Sequence, residues 1–255
     1  IYNMILSKHL TIVNKSDMKV DILAVGSHPD DVELGCSGTI AKEISKGRKV
    51  GILDLTKGEL GTRGSAEIRE KEANDAAKIL NVAFRDNLEF KDGFFKNDDA
   101  HQLKLIKKIR KYRPDLILCN APDDRHIDHP KGAKLVTDSC FLSGLKKIET
   151  IEDGFNQEPW RPNNIYLYIQ WKSLKPDFVV DISNHFQTKI KAVKAFKSQF
   201  YDGNETVHST PISTKNFIDS IEYRARDLGR LTNVDYAEGF IAVRLPLIEN
   251  ISDLK

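Results

Sequence analysis

The segment VDILAVGSHPDDVE, residues 20–33, predicts both the first strand of an α/β fold and the place where its chemistry lies. Its first half is a short apolar run rich in valine, isoleucine and leucine, which is typical of a strand buried on both faces. Three polar groups follow on a turn stiffened by a proline, namely His28, Asp30 and Asp31. Imidazole and carboxylate are metal ligands, and a spare carboxylate can act as a base.

A second polar cluster, DDRHIDHP at residues 123–130, follows the apolar run DLILC at residues 115–119. A lone His-Pro-Asp segment is more often a simple turn, but two clusters at strand ends favour a site, because open α/β sheets bind ligands there. A catalytic zinc site takes three protein ligands and leaves one position open. The clusters together supply three candidate ligands: His28, Asp31 and His129. Two groups remain for hydrogen bonding or acid–base chemistry: His126 and Asp128.

The composition predicts a single domain in the cytoplasm. Basic and acidic side chains, 39 and 37 in number, are interspersed and leave a net charge of +2, which does not favour a nucleic-acid or membrane surface. Three cysteines without Cys-x-x-Cys spacing indicate neither a disulfide framework nor a cysteine-rich metal site. No apolar run approaches the ~20 residues of a membrane span. We expect residues 1–17 to be a peripheral N-terminal extension and residues 18–255 to form one domain.

Strands and helices are predicted to alternate along the first 142 residues. The predicted strands are 20–26, 48–55, 82–88 and 115–119, and the predicted helices are 35–46, 66–80, 103–112 and 131–142. Right-handed crossovers would give the strand order 3-2-1-4, with the two polar clusters facing each other where the order reverses. Later strands are predicted at 164–171, 177–182 and 236–245, and later helices at 188–200 and 214–230. The fold class is therefore α/β: a Rossmann-like, doubly wound, mostly parallel sheet with helices on both faces.

The two clusters resemble the signature of a known family. GSHPDDVE at residues 26–33 and HIDHP at residues 126–130 are similar to the motifs of the PIG-L, or LmbE-like, family of zinc-dependent N-deacetylases. Four shorter segments look most like the bacillithiol-biosynthesis branch, which deacetylates N-acetylglucosaminyl-malate: GELGTRG at 58–64, NAPDDRH at 120–126, YIQW at 168–171 and YAEGF at 236–240. One small departure is a serine at position 27, where alanine is usual.

The resemblance implies a role for each motif residue. The metal, Zn²⁺ or else Fe²⁺ or another divalent transition ion, would be held by His28, Asp31 and His129. Asp30 would be the general base, and His126, oriented by Asp128 and favoured as an imidazolium, would stabilise the oxyanion. Four residues are expected to contact substrate: Arg63, Arg69, Gln170 and Trp171. Arg69 taken alone is more often solvated, and the last two are equally compatible with core packing.

The function expected from the resemblance is deacetylation of a small amino-sugar substrate by a cytoplasmic homo-oligomer, a trimer or hexamer. The alternatives are an amidase acting on a thiol conjugate, a deacetylase of another N-acetylglucosaminide, and a non-catalytic metal- or sugar-binding protein. A dinucleotide-dependent oxidoreductase would use the same kind of sheet, but the Gly-x-Gly-x-x-Gly pattern is absent after the first strand. We expect neither a nucleic acid nor a membrane as a partner.

Overall fold

A seven-stranded, mostly parallel sheet forms the centre of the computed structural model, which describes residues 19–201 and 209–253. The predicted extension at 1–17 lies outside these residues. The strands are β1 (Ile22–Gly26), β2 (Val50–Thr56), β3 (Phe84–Phe90), β4 (Leu116–Asn120), β7 (Asn164–Tyr168), β8 (Phe178–Asp181) and β9 (Ala237–Ala242), with β5 (Ile151–Glu152) and β6 (Phe155–Asn156) in a separate hairpin. The order β3-β2-β1-β4-β7-β9-β8 confirms the predicted 3-2-1-4 arrangement, and β9 runs antiparallel between β7 and β8.

Six α-helices cover the two faces of the sheet in the described part of the chain. They are α1 (Asp31–Ser45), α2 (Ala66–Leu80), α3 (Asp99–Tyr112), α4 (Asp128–Ser143), α5 (Phe186–Lys194) and α6 (Lys215–Arg230). Helices α1, α2 and α5 pack against one another, and α3 packs against α4. The predicted fold class is thereby confirmed. None of the described helices combines the length and apolar character needed to cross a membrane.

Side chains alternate along β1 and so contribute to an apolar core on each face of the sheet. Leu23 and Val25 belong to the apolar core that includes residues of α3 and α4. Ile22 and Ala24, which point to the opposite face, belong to the core that includes residues of α1. Because both faces of a central parallel strand are covered, every residue of β1 is buried. This is why the strand reads as one continuous apolar run.

Both site-bearing helices begin earlier than predicted. Helix α1 begins at Asp31 rather than residue 35, and α4 begins at Asp128 rather than residue 131. Their first turns contain the carboxylates and proline that, in sequence, are typical of a turn. Such residues are also compatible with a helix N-terminus, where the first N–H groups need no intrahelical acceptor and negative charge is favoured. The correction places two candidate site carboxylates at helix N-termini.

Candidate metal and catalytic site

The two motif segments meet at one cavity above the β1–β4 boundary. These strands are parallel neighbours, so the loops that leave their carboxyl ends lie side by side. The cavity has a volume of about 440 Å³, within the range of small-molecule pockets. Nine of the ten predicted site residues line it: His28, Asp30, Asp31, Arg63, Arg69, His126, His129, Gln170 and Trp171. The tenth, Asp128, is fully buried behind His28.

The carboxylate of Asp31 lies between the two imidazoles predicted to share a metal with it. Its Oδ2 is 3.4 Å from Nδ1 of His28, and its Oδ1 is 3.2 Å from Nε2 of His129. The same carboxylate accepts hydrogen bonds from side-chain amides on two strand ends, Asn120 at 3.1 Å and Gln170 at 2.7 Å. The three predicted ligands are therefore adjacent and their orientations are restrained by neighbouring groups.

The second ring nitrogen of each imidazole faces a carboxylate. Nε2 of His28 is 3.1 Å from Asp92, and Nδ1 of His129 is 2.8 Å from Asp124. Such carboxylate–imidazole pairs orient metal-binding histidines and raise their basicity. Sequence reasoning assigned no role to either aspartate. Asp92 follows β3 at the same edge of the sheet, so the strand-end rule that identified the two motifs would also have indicated it.

The donor set fits a divalent cation. Four carboxylates contact the two imidazoles: Asp31, Asp92, Asp124 and Asp128. Burial acts to lower the pKa of His28, but hydrogen bonds to Asp128, Asp31 and Asp92 outweigh it and raise that pKa well above its ordinary value. Burial also acts to lower the pKa of His129, but the charge of Asp31 and hydrogen bonds to Asp124 and Asp31 raise it to about 9. The surroundings therefore stabilise positive charge at both rings, and a metal ion can supply that charge in place of their protons.

His126 lies close enough to belong to a metal group as well. Nitrogens of His28, His126 and His129 lie within 4.8 Å of one another. The backbone N–H of Asp128 donates to Nδ1 of His126 at 3.3 Å, which leaves Nε2 as the proton-bearing nitrogen of a neutral ring. Burial, and then the charges of His28 and His129, lower the pKa of His126. These contacts favour a neutral imidazole, not the imidazolium that was expected.

The expected role of Asp128 is corrected by its contacts. Its carboxylate lies 3.4 Å from Nε2 of His28, accepts the backbone N–H of Gly93 at 2.7 Å and pairs with Lys131 at 2.6 Å. Asp128 contacts His126 through its backbone N–H, which donates to Nδ1, and not through its carboxylate. The start of α4 explains the difference, because it turns the Asp128 side chain towards the β3–α3 connection. The carboxylate of Asp128 therefore contacts His28 of the first motif, and only the backbone N–H of Asp128 contacts His126.

Asp30 and Arg69 form a buried pair on the cavity wall. One guanidinium N–H of Arg69 donates to Oδ2 of Asp30 at 3.0 Å, and others donate to the carbonyls of Pro29 and Gly58. Burial raises the pKa of Asp30 to about 7, and the positive charge of Arg69 opposes this increase. A bound cation beside Asp30 would lower the pKa again. Arg69 is buried rather than solvated, and it holds the predicted base.

The other predicted substrate residues occupy the wall in different ways. Gln170 lines the cavity, but its amide donates to Asp31. The ring of Trp171 contacts the guanidinium of Arg125 at 4.5 Å and stacks on Phe217 at 5.4 Å. Arg63 lines the cavity, and its backbone carbonyl accepts a hydrogen bond from Gln199. Substrate contact by these residues stays a prediction, whereas their position at the cavity is established.

Known proteins resemble this chain in sequence and in fold. Residues 23–140, which include both motifs, match the family model described as PIG-L: GlcNAc-PI de-N-acetylase. A solved structure, that of a conserved protein from Thermus thermophilus, is 36% identical with a TM-score of 0.80, over 91% of this chain and 98% of that one. Diacetylchitobiose deacetylase from Thermococcus kodakarensis is 28% identical over 207 residues, 74% of this chain and 76% of that protein.

A third relative matches a shorter part of the chain. Mycothiol S-conjugate amidase from Streptomyces coelicolor is 31% identical over 125 residues, 38% of this chain and 42% of that protein. The near full-length likeness to the Thermus protein and the family match over both motifs agree with the geometry of the cavity. By the match over residues 23–140, this chain resembles the PIG-L, or LmbE-like, family of deacetylases.

Proposed function

We propose that this chain hydrolyses the acetamide of an N-acetylglucosaminide in a metal-dependent reaction, with N-acetylglucosaminyl-malate as its substrate. The observation that carries the proposal is that one small cavity is lined by a His-Asp-His group and by a separate buried carboxylate, Asp30. A binding protein would need the first group but not the second. The deacetylase relative and the family match support the same reaction.

Five motif residues that line the cavity, together with Arg69, have a part in this reaction. His28, Asp31 and His129 would hold the cation, which when bound would lower the pKa of a water molecule and polarise the acetyl carbonyl. Asp30, held by Arg69, would accept the proton of the attacking water. Neutral His126 would donate its Nε2 proton as a hydrogen bond to the developing oxyanion. Asp30 or His126 would then protonate the leaving amine.

The arginines that line the cavity support an anionic aglycone such as malate. Besides Arg69, which pairs with Asp30, three arginines line the same cavity: Arg63, Arg125 and Arg224. None of the three pairs with a carboxylate within 4 Å among the described residues, so their charges are available to a ligand. We expect Arg224→Ala to raise KM for the malate conjugate about tenfold, the cost of roughly one charge-assisted hydrogen bond. KM for a neutral N-acetylglucosaminide should change little.

An amidase acting on a thiol conjugate is the second candidate. The partial match to mycothiol S-conjugate amidase supports it, because amide hydrolysis needs the same metal group and base. The two candidates differ in what the arginine-lined wall receives. A malate group offers two carboxylates to that wall, so the charge distribution favours the deacetylase.

The first experiment is to measure acetate release from N-acetylglucosaminyl-malate by zinc-reconstituted protein. N-acetylglucosamine, a mycothiol-type S-conjugate and metal-stripped protein are tested alongside. Metal-dependent turnover of the malate conjugate in preference to the others would support the proposal. Turnover of the S-conjugate alone would select the amidase, and zinc binding without turnover of any substrate would indicate a binding protein.

The metal ligands need a separate test, because His126 lies close to the same group. Zinc content after dialysis is measured for Asp31→Asn, His129→Ala and His126→Ala. The first two should lose zinc, and the third should keep it. Loss of zinc from His126→Ala alone would instead assign His126 to the metal. Reconstitution with iron(II) tests whether zinc is the metal. Sedimentation analysis tests the expected homo-oligomer, and cell fractionation tests the expected cytoplasmic location.

A further inference from the structure

A second feature of the site is the way in which the loop of residues 57–64, here called the pocket loop, is fastened to it. Several of its residues line the cavity, and two of its glycines adopt positive φ, so the loop follows a path that few other residues would allow. Arg69 binds the carbonyl of Gly58 at the start of the loop, and Gln199 binds the carbonyl of Arg63 near its end. The middle of the loop is fastened differently.

Asp92 holds the middle of the pocket loop. Its Oδ2 accepts the backbone N–H of Leu60 at 3.0 Å, and its own backbone N–H donates to Oε1 of Glu59 at 2.8 Å. The other carboxylate oxygen, Oδ1, is 3.1 Å from Nε2 of His28. Asp92 is only 5% exposed. One buried carboxylate therefore bridges a proposed metal ligand and the loop that lines the cavity.

We propose that Asp92 is a positioning residue that couples metal binding at His28 to the conformation of the pocket loop. The inference rests on the proposed metal-binding role of His28. A cation on Nδ1 would leave the proton on Nε2, and that N–H then fixes the Asp92 carboxylate by a hydrogen bond. The fixed carboxylate in turn restrains the N–H of Leu60. By linkage, a substrate that orders the pocket loop would also strengthen metal binding.

Asp92 and Asp128 also lie close enough to His28 to form a metal group of their own. Their other contacts favour the hydrogen-bonding role. Asp92 already accepts an N–H from the pocket loop, and Asp128 accepts from Gly93 and pairs with Lys131. A carboxylate that binds backbone amides and a lysine has fewer free lone pairs for a cation. Nδ1 of His28 instead faces Asp31, the carboxylate that also contacts His129.

The test uses the substitution Asp92→Asn. Leu60 and His28 contact different oxygens of Asp92, and an asparagine has an acceptor oxygen at only one of these two positions. Zinc affinity is measured by chelator competition, and the hydrogen-exchange rate of the Leu60 amide is measured with and without saturating zinc. Asp98→Asn is the matched control: it lies on the same connection, is exposed, and caps α3 without contacting His28 or the pocket loop.

In the wild-type protein and in Asp98→Asn, zinc should slow exchange of the Leu60 amide. In Asp92→Asn, zinc affinity should fall about 10–100-fold, as for other partners of metal-binding histidines, and saturating zinc should no longer slow Leu60. An unchanged zinc affinity in Asp92→Asn, or a zinc response of Leu60 that persists in it, would overturn the coupling alone. A wild-type protein that binds no zinc would overturn the proposed function and, with it, this inference.

Discussion

Asp30 combines an unusual backbone conformation with a buried carboxylate. Its φ of 120° lies in a region that L-residues other than glycine rarely adopt, and such strain persists only where neighbours impose it. Arg69 binds both the carbonyl of Pro29 and the Asp30 carboxylate, and the carbonyl of Asp30 accepts the N–H of Leu34 at 2.9 Å. These contacts direct the carboxylate at the cavity. The strain is consistent with a position selected for chemistry rather than stability.

The substitution Asp30→Asn tests the role of base. We expect zinc content to stay at the wild-type level, because Asp30 is not among the three proposed ligands, and kcat to fall by about 10²–10⁴, as when a general base is removed. Acetate release and bound zinc are measured on the same sample. A wild-type kcat in the zinc-loaded variant would exclude Asp30 as the base.

The substitution His126→Ala tests the proposed oxyanion donor. Loss of one such donor typically lowers kcat about 10²–10³-fold, and we expect that change with little change in KM, because the hydrogen bond strengthens only as charge develops. His126→Gln, which retains an N–H donor, is the comparison and should recover part of the rate. Equal rates for the wild type and both variants would contradict the assignment.

At the scale of elements, helix α1 is fastened to the sheet by a buried ion-pair cluster. Arg85 on β3 binds Asp54 on β2 through two N–H groups, at 2.7 and 2.9 Å, and Glu33 on α1 at 2.6 Å. All three side chains are almost completely buried. Burial raises the pKa of both carboxyl groups, which Arg85 opposes. The cluster holds the first turns of α1, where Asp31 lies, against β2 and β3.

Removal of Arg85 should therefore destabilise the fold more than removal of a surface cation. Arg85→Met leaves two buried carboxyl groups without their partner, and we expect the free energy of unfolding to fall by about 3–5 kcal/mol. Urea denaturation measures the change. Lys46→Met, which breaks an exposed pair with Glu43 on the same helix, is the control and should change stability by less than about 0.5 kcal/mol. Similar effects of both substitutions would show that the cluster does not stabilise α1.

At the scale of the whole molecule, the proposed metal joins segments that only folding brings together. His28 and Asp31 follow β1, whereas His129 lies on α4 after β4. An unfolded chain would not hold these ligands near one another, so the metal should bind the folded state preferentially. Metal binding is then linked to the stability of the entire domain.

Zinc should accordingly stabilise the protein against unfolding. At a free zinc concentration 1,000 times Kd, linkage predicts a gain of about 4 kcal/mol in the free energy of unfolding. Thermal denaturation of metal-stripped protein with and without zinc measures the effect as a rise in Tm. His129→Ala should show no such rise. A wild-type Tm that is independent of zinc would contradict a site formed from both segments.

The sequence by itself determined the alternation of strands and helices, the 3-2-1-4 order and the proximity of the two motifs. Apolar runs and strand-end positions are local signals, and the right-handed crossover converts them into topology. Only the tertiary structure decided which groups contact each motif residue. Examples are the contact of Asp92 with His28, the contact of Arg69 with Asp30, and the direction of the Asp128 carboxylate towards His28. All three depend on side-chain directions at helix starts and in loops. Those directions are set by packing between segments distant in sequence, which no local pattern records.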